Sequence, residues 1–355
     1  MKILSLIDSF KGTITSKELG KMVYDYFTEN GHEVKSYAIA DGGDGFLDAI
    51  SENVKLEKKE IVCKDPLLRK IKSYYLVSNE SNTAYIELAK ASGISLLKET
   101  ELNPFKTSTY GFGETIKDAI INGYKNIVIG IGGSATNDSG SGMLEALGVE
   151  FKQDNNLLQD MCNEKLALVN NINTKALEEL IEGVTFTVLS DVTNPLLGSN
   201  GATYVFSPQK GASKEALPIL EKNIENFSKL NEEYVNYPGS GAAGGVGYAL
   251  KTYLKAKVVS GIDYLLDLIK YDELHKEYDV IMTGEGKIDH QSMQGKVISS
   301  IIKRTVNKRI ILLCGINEIK DNYEVYSVCN ETVTKQMSMS NPKYYFKQML
   351  HNIKI

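Results

Sequence analysis

The sequence predicts an α/β protein of two domains: a discontinuous parallel-sheet domain, and a mixed-sheet domain inserted into it. Three observations carry this. The chain has 355 residues, and domains usually hold about 100–200. Near both ends, apolar runs of strand length alternate with helical periods, the pattern of strands joined by crossover helices. In the middle, two strand-like runs are joined by a hairpin-type loop, which brings in antiparallel pairing.

In chain order, Lys2–Ile7 is an Ile- and Leu-rich run ended by Asp8-Ser9. Thr15 and Glu18 are spaced as a capping box, and Leu19, Met22, Val23, Tyr26 and Phe27 recur at helical spacing toward Asn30-Gly31. Glu33–Ala40 reads as a strand, broken by Asp41-Gly42-Gly43-Asp44-Gly45 before a short helix near Phe46. Ile71–Val77 and Thr83–Leu88 are strands across the loop 78–82. A helix over Gly113–Asn122 precedes the most apolar strand, Asn126–Ile131, and a helix over Met143–Leu147. Val184–Leu189 and Ala202–Phe206 read as further strands, Pro218–Asn236 and Ala243–Leu254 as helices. Asp279–Met282 and Arg309–Leu313 are continuous β-rich runs of the kind buried on both faces, and Asn341-Pro342 opens the last helix. Residues 1–60 and 281–355 therefore form one discontinuous Rossmann- or flavodoxin-like domain, and 61–280 an inserted α/β domain.

Composition narrows the function. Hydrophobic residues make up 42 % and charged residues 24 %, ordinary for a protein with cores and unlike disorder, collagen or coiled coil. A net charge of −5 gives no global positive field to recruit nucleic acid, though a local basic cluster can hold a small anion. No apolar run reaches the roughly 18–20 residues of a membrane span, and the opening MKILSLIDSFKG is too short for a secretory signal. Cys63, Cys162, Cys314 and Cys329 form no C-x-x-C pair, and His32, His275, His290 and His351 are scattered, so no zinc-ligand spacing exists. Free thiols in a reducing cytoplasm are the expectation.

The chemistry lies in glycine-rich turns. Residues 130–142, Gly-Ile-Gly-Gly-Ser-Ala-Thr-Asn-Asp-Ser-Gly-Ser-Gly, leave a strand and enter a helix, where backbone N–H groups can cradle an anion. The same glycines also suit a tight turn that packs helix on sheet. Gly130-x-Gly132-x-x-Ala135 loosely fits a dinucleotide fingerprint, with Glu150 near the place of a ribose-binding acid. Lys11, Lys210, Lys287 and Lys296 flank glycine turns, Lys11 and Lys296 being the better placed for phosphate. Asp8, Asp41, Asp44, Asp138, Asp191, Glu285 and Asp289 sit at strand ends or glycine turns, the hard oxygens that phosphoryl transfer needs for Mg²⁺ and for the attacking hydroxyl. Asp41 and Asp138 serve equally well as turn formers or caps, and a lone His290 reads as incidental.

Several blocks in the same order resemble the type-1 glycerate kinase family. They are Asp8-Ser9-Phe10-Lys11-Gly12, Ala40-Asp41-Gly42-Gly43-Asp44-Gly45, Gly132-Gly133-Ser134-Ala135-Thr136-Asn137-Asp138 and Asp191-Val192-Thr193-Asn194-Pro195-Leu196. Gly241-Ala242-Ala243-Gly244-Gly245, Thr283-Gly284-Glu285-Gly286-Lys287-Ile288-Asp289 and Gln294-Gly295-Lys296 follow. The resemblance implies ATP-dependent phosphorylation of D-glycerate with Mg²⁺, with 2-phosphoglycerate as the expected product, by two α/β domains, one interrupting the other. The chain departs from the family at Asp44 (usually Glu), at Asp138-Ser139-Gly140 (often Asp-Gly-Gly) and at Val297-Ile298 (usually Ala-Pro). It also has Ser190-Asp191-Val192-Thr193 for Cys-Asp-Val-Asp, which removes one carboxylate at Thr193.

On this basis the site is expected in a cleft between the domains. Gly132, Gly133, Ser134, Thr136 and Lys296 are expected to bind nucleotide phosphates, and Lys11 to neutralise the transferring phosphoryl group. Asp191 orients or deprotonates the substrate hydroxyl or holds Mg²⁺, while Asp8, Ser9, Asn137, Glu285 and Asp289 line the glycerate site. The competing expectations are an NAD(P)-dependent oxidoreductase using Gly130–Ala135 and a non-catalytic metabolite-binding protein.

Overall fold

The computed structural model describes residues 1–40, 43, 45–290, 292, 297–319 and 323–355. They fall into two compact units, one of Met1–Asp41, Asp48–Lys55 and Ser260–Ile355, the other of Gly42–Leu47 and Leu56–Val259.

The first unit opens with β1 (Lys2–Ile7) and β2 (Glu33–Ser36). Between them runs the helix Ser16–Glu29, whose capping box forms as the spacing implies. The Thr15 N–H donates to Glu18 Oε2 at 3.0 Å, and the Glu18 N–H donates to Thr15 Oγ1 at 3.3 Å. Its Leu19, Val23 and Phe27 bury against Ile3 and Ile7, each contributing roughly 1.5–3 kcal/mol of transfer free energy. The second unit then supplies β3 (Glu57–Lys64), β4 (Lys70–Ser78), β5 (Thr83–Glu87), β6 (Asn126–Gly130), β7 (Glu150–Gln153), β8 (Asn156–Leu158), β9 (Asn171–Asn173), β10 (Thr185–Leu189) and β11 (Lys257–Val259). The chain returns to the first unit with β12 (Val280–Ile288), β13 (Arg309–Asn317) and β14 (Glu324–Ser327).

The first unit's sheet has the order β14-β13-β12-β1-β2 and is parallel throughout. The chain leaves β1 to one side and builds β13 and β14 outward from β12 on the other. The β1/β12 junction is therefore the topological switch point, outside whose strand C-termini open α/β sheets bind ligands. The second unit's large sheet, β11-β10-β6-β5-β4-β3, pairs β3 with β4 and β4 with β5 antiparallel and is parallel from β5 onward. A small antiparallel sheet, β8-β7-β9, stands beside it.

Several readings change on the structure. Ala202–Phe206 is a helix, not a strand. It buries consecutive Ala202 and Thr203 and exposes consecutive Tyr204 and Val205, a helical face that overrides the β-preference of Thr, Tyr and Val. The helix from Leu217 stops at Ser228 rather than Asn236; beyond it, Asn231 Oδ1 accepts the Glu233 N–H at 3.2 Å, a side-chain turn that competes with helix. Thr283-Gly284-Glu285-Gly286-Lys287 is strand rather than turn, because β12 continues in register with β13, Glu285 opposite Cys314 and Lys287 opposite Ile316. A Cβ at Gly284 would overlap the Leu313 carbonyl, so that glycine serves strand packing. Ser260–Tyr278 lies with the first unit, although the sequence suggested a return near residue 281. Ile262, Leu266 and Tyr271 share a core with Leu4, Leu6 and Ile281. Among the described residues, no helix is long and apolar enough to cross a membrane.

Candidate active site

In the first unit the expected residues gather at the switch point. The Asp8 N–H donates to the Gly284 carbonyl at 2.9 Å, which sets the 8–11 segment directly after β1 and beside Glu285 on β12. Asp8 is buried, and its Oδ1 accepts the Ser9 N–H at 2.7 Å. Lys11 is exposed on a tight turn. Phe10 and Ile14 exchange backbone bonds of 2.9 and 3.1 Å, the Thr13 hydroxyl donates to the Phe10 carbonyl at 2.8 Å, and Gly12 takes a φ of 77°. The Phe10 ring anchors the turn edge-on against Phe346, with centroids 5.5 Å apart. Glu285 and Asp289 are partly buried. Asp289 closes a small turn with Ser292, the two exchanging N–H bonds of 3.1 and 3.2 Å. Lys287 pairs with Glu318 at 2.8 Å and with Asp289 at 3.5 Å, and His290 is exposed. Lys296 lies outside the described residues, as do Asp41 and Asp44.

In the second unit, strand register gathers a second set. Glu87 on β5 and Leu189 on β10 are both level with Gly130 on β6, so the 131–140 loop and Asp191 leave one edge of the sheet from adjacent parallel strands. Four carbonyls of the loop are tied to the protein. Gly133 O accepts the Ile94 N–H at 2.8 Å, and Ala135 O accepts the Thr107 hydroxyl at 3.0 Å. Thr136 O accepts Lys210 Nζ at 2.6 Å, and Asn137 O accepts Asn163 Nδ2 at 2.9 Å. With these four acceptors engaged, and the Ala135 and Ser139 N–H groups donating to Ser92 O and Gly244 O at 3.0 Å each, the part of the loop that can meet an anion is the 132–134 segment. Gly132 and Gly133 are its solvent-open part. Ser134 is nearly buried, while Thr136 and Asn137 are wholly so, and the Asn137 amide donates to Thr203 Oγ1 at 3.3 Å.

Asp138 resolves its two readings in favour of a cap. Fully buried, it accepts the Thr109 N–H at 2.8 Å, the Thr109 hydroxyl at 2.7 Å, and the Gly140 and Gly142 N–H groups at 3.1 and 3.3 Å. Burial pushes its carboxyl up, against those bonds. The N-terminus of the six-residue helix Ser141–Ala146 is therefore occupied by the protein's own carboxylate. Opposite stands a left-handed turn, Ala243, Gly244 and Gly245, with φ of 54°, 68° and 90°. The Ser139 N–H donates to Gly244 O at 3.0 Å, and a Cβ on Gly244 would overlap the Thr136 carbonyl, so the approach admits only glycine. Asp191 is partly buried, flanked by the Ser190 N–H donating to Val259 O at 3.1 Å and the Gly241 N–H donating to Asn194 O at 2.9 Å.

Two residues matter more here than the sequence suggested. Glu87, buried at the end of β5, accepts the Leu47 N–H at 3.0 Å and the Gly45 N–H at 3.4 Å, so it holds the segment that follows the Asp41–Gly45 motif. Lys210 is buried beneath the loop, with Nζ 2.8 Å from Ser134 Oγ. Burial lowers its ammonium to about 7, against the opposing pull of Asp138. The unfolded chain holds this proton up to about 10.5, so between those values it binds more protons than the fold, and stability rises with pH across that window. The buried thiols of Cys63 and Cys162, raised by burial to about 11 from 9.0, act in the opposite direction above pH 9. The Tm difference between wild type and Lys210→Met is therefore expected to move in favour of wild type from pH 7 to 9. A pH-independent offset in thermal melts would refute this.

The dinucleotide reading loses its acid. Glu150 lies on β7 of the small antiparallel sheet, paired with Lys152 at 2.8 Å and accepting Asn173 Nδ2 at 3.2 Å. No group of three His, Cys, Asp or Glu side chains among the described residues comes together as a metal site.

Known proteins fix the relationship. The glycerate kinase family model matches residues 3–354. The chain is 34 % identical over 325 residues to a glycerate 2-kinase of Escherichia coli K12, covering 89 % of this chain and 85 % of that protein. It is 33 % identical over 324 residues to a glycerate kinase of Halalkalibacterium halodurans, with the same coverage of 89 % and 85 %. The crystal structure of a candidate glycerate kinase 2 from Salmonella typhimurium LT2 superposes with a TM-score of 0.81 at 30 % identity, covering 99 % of this chain and 97 % of that one. With a match running almost from end to end on a shared architecture, this chain belongs to the glycerate kinase family and is an enzyme of the kinase class.

Proposed function

We propose that the enzyme transfers the γ-phosphoryl group of ATP to the 2-hydroxyl of D-glycerate, in the cytoplasm. The observation that carries this is the family match over residues 3–354 in a chain whose donor-rich loop and strand-end acids lie where α/β sheets bind ligands. Gly132, Gly133 and Ser134, with Lys296, hold the nucleotide phosphates, Gly133 being the exposed residue of the three, and Thr136, assigned with them and fully buried, acts from within the loop. Lys11 balances charge on the transferring phosphoryl group. Asp191 orients the glycerate hydroxyl and accepts its proton, and Asp8, Ser9, Glu285 and Asp289 line the glycerate side. Asn137, fully buried, acts through the loop it supports. Mg²⁺ enters as the companion of ATP, held mainly by phosphate oxygens and water, with Asp191 as the single protein carboxylate assigned to it. When bound, the ion neutralises phosphate charge. The four free cysteines fit a reducing compartment.

The test is ADP release by the purified enzyme with ATP, Mg²⁺ and D-glycerate, the product being read by phosphorus NMR. Glycerate-dependent ADP release with a 2-phosphoglycerate signal is expected. Release indifferent to glycerate would overturn the substrate, and a 3-phosphoglycerate signal would overturn the position.

A further inference from the structure

Lys210 is remote in sequence from the loop it touches, 76 residues from Ser134, and only 2 % of it is exposed. Burying an amine is costly unless its donors are used. Here two of them are, on Ser134 Oγ at 2.8 Å and Thr136 O at 2.6 Å. A serine hydroxyl has one proton and two lone pairs. An oxygen that accepts an N–H from the Lys210 amine must send its own proton elsewhere, and below about pH 7, where the amine is charged, that partner also polarises the O–H as a donor. The backbone of Ser134 is already fixed by its bridge to Gly93, so the side chain is the group left to set. In the same unit the buried Thr136 Oγ1, Asn137 Oδ1, Ser139 Oγ and Ser207 Oγ have no hydrogen-bond partner among the described residues. Thr107 and Asn163 hold the Ala135 and Asn137 carbonyls, while Lys210 is the side chain that bonds to Ser134 Oγ.

We propose that Lys210 is a positioning residue for the nucleotide. It holds the Ser134 oxygen and the Thr136 carbonyl from beneath, so that the Ser134 proton is presented outward to a phosphate oxygen. This rests on the reading that the 132–136 loop binds the phosphates of ATP. A purely structural lysine would affect melting and leave substrate affinities alone. A positioning lysine acts on ATP selectively and chiefly through Ser134.

The experiment compares full-length wild type, Lys210→Met, Ser134→Ala and the double variant by Tm, kcat, and KM for ATP and for D-glycerate. Lys210→Met and Ser134→Ala are each expected to raise the ATP KM about tenfold, the scale of one charge-assisted hydrogen bond, with the D-glycerate KM within about twofold. The double variant should be no more than about threefold worse than the poorer single variant, since the Lys210–Ser134 bond is lost in each. Should Lys210→Met not fold, Lys210→Gln replaces it, one bond shorter with its N–H donors kept, and should raise the ATP KM at least threefold. An unchanged ATP KM in whichever Lys210 variant folds, or effects that multiply in the double variant, overturns the proposal. If Ser134→Ala weakens ATP and the Lys210 variants do not, Lys210 alone has been misassigned. If Ser134→Ala also leaves ATP unaffected, the phosphate-loop reading has failed with it.

Discussion

Asp191→Asn is expected to lower kcat by about 10²–10⁴-fold, the range of a lost general base, with little change in Tm. The substitution keeps side-chain shape and removes only the charge and the basic oxygen. The backbone on either side is fixed independently of that charge, through Ser190 to Val259 and Asn194 to Gly241. If Asp191 merely shaped the turn after β10, Asn would replace it without loss. Steady-state kinetics with saturating ATP and glycerate decide the matter, and a kcat within threefold of wild type removes Asp191 from the chemistry. Repeating the assay over a range of Mg²⁺ separates its two proposed roles. Recovery at high Mg²⁺ points to metal holding, and a fixed deficit points to the substrate hydroxyl.

Lys11→Ala is expected to cost about 10²-fold or more in kcat, the scale of one electrostatic contact made to developing charge. The turn that carries Lys11 is held by contacts that the substitution leaves in place, the Phe10–Ile14 backbone pair, the Thr13 hydroxyl, Gly12 and the Phe10–Phe346 contact. The variant should melt as wild type does while turnover falls. A loss below threefold, measured by glycerate-dependent ADP release, would take Lys11 out of the mechanism.

Much of the fold was legible because its signals are local. The capping box at Thr15 and Glu18, the stripe on the helix it opens and the apolar runs of β1, β6 and β13 are each written in residues close together in the chain. Ala202–Phe206 misled because its composition favours strand while its burial is set by partners distant in the chain. The glycines at 284 and 286 read as turn punctuation, yet Gly284 is small so that β12 can lie close to β13, a reason visible only once the pairing is known. For the site, strand-end geography was readable, since register alone brings Asp8 beside Gly284 and the Asp191 loop level with the end of β6. The support beneath the loop was not, because Lys210, Asn163 and Gly244 reach it across long separations that no local pattern records.

The inward anchoring of four successive-region carbonyls, at 133, 135, 136 and 137, has a thermodynamic consequence for association. On the proposed reading that this loop takes the nucleotide phosphates, the entropy of ordering it is spent during folding, not on nucleotide capture, so ligand contacts are not discounted by loop freezing. Encounter then proceeds on a surface already shaped, and tuning of nucleotide affinity among close variants falls mainly on residence time.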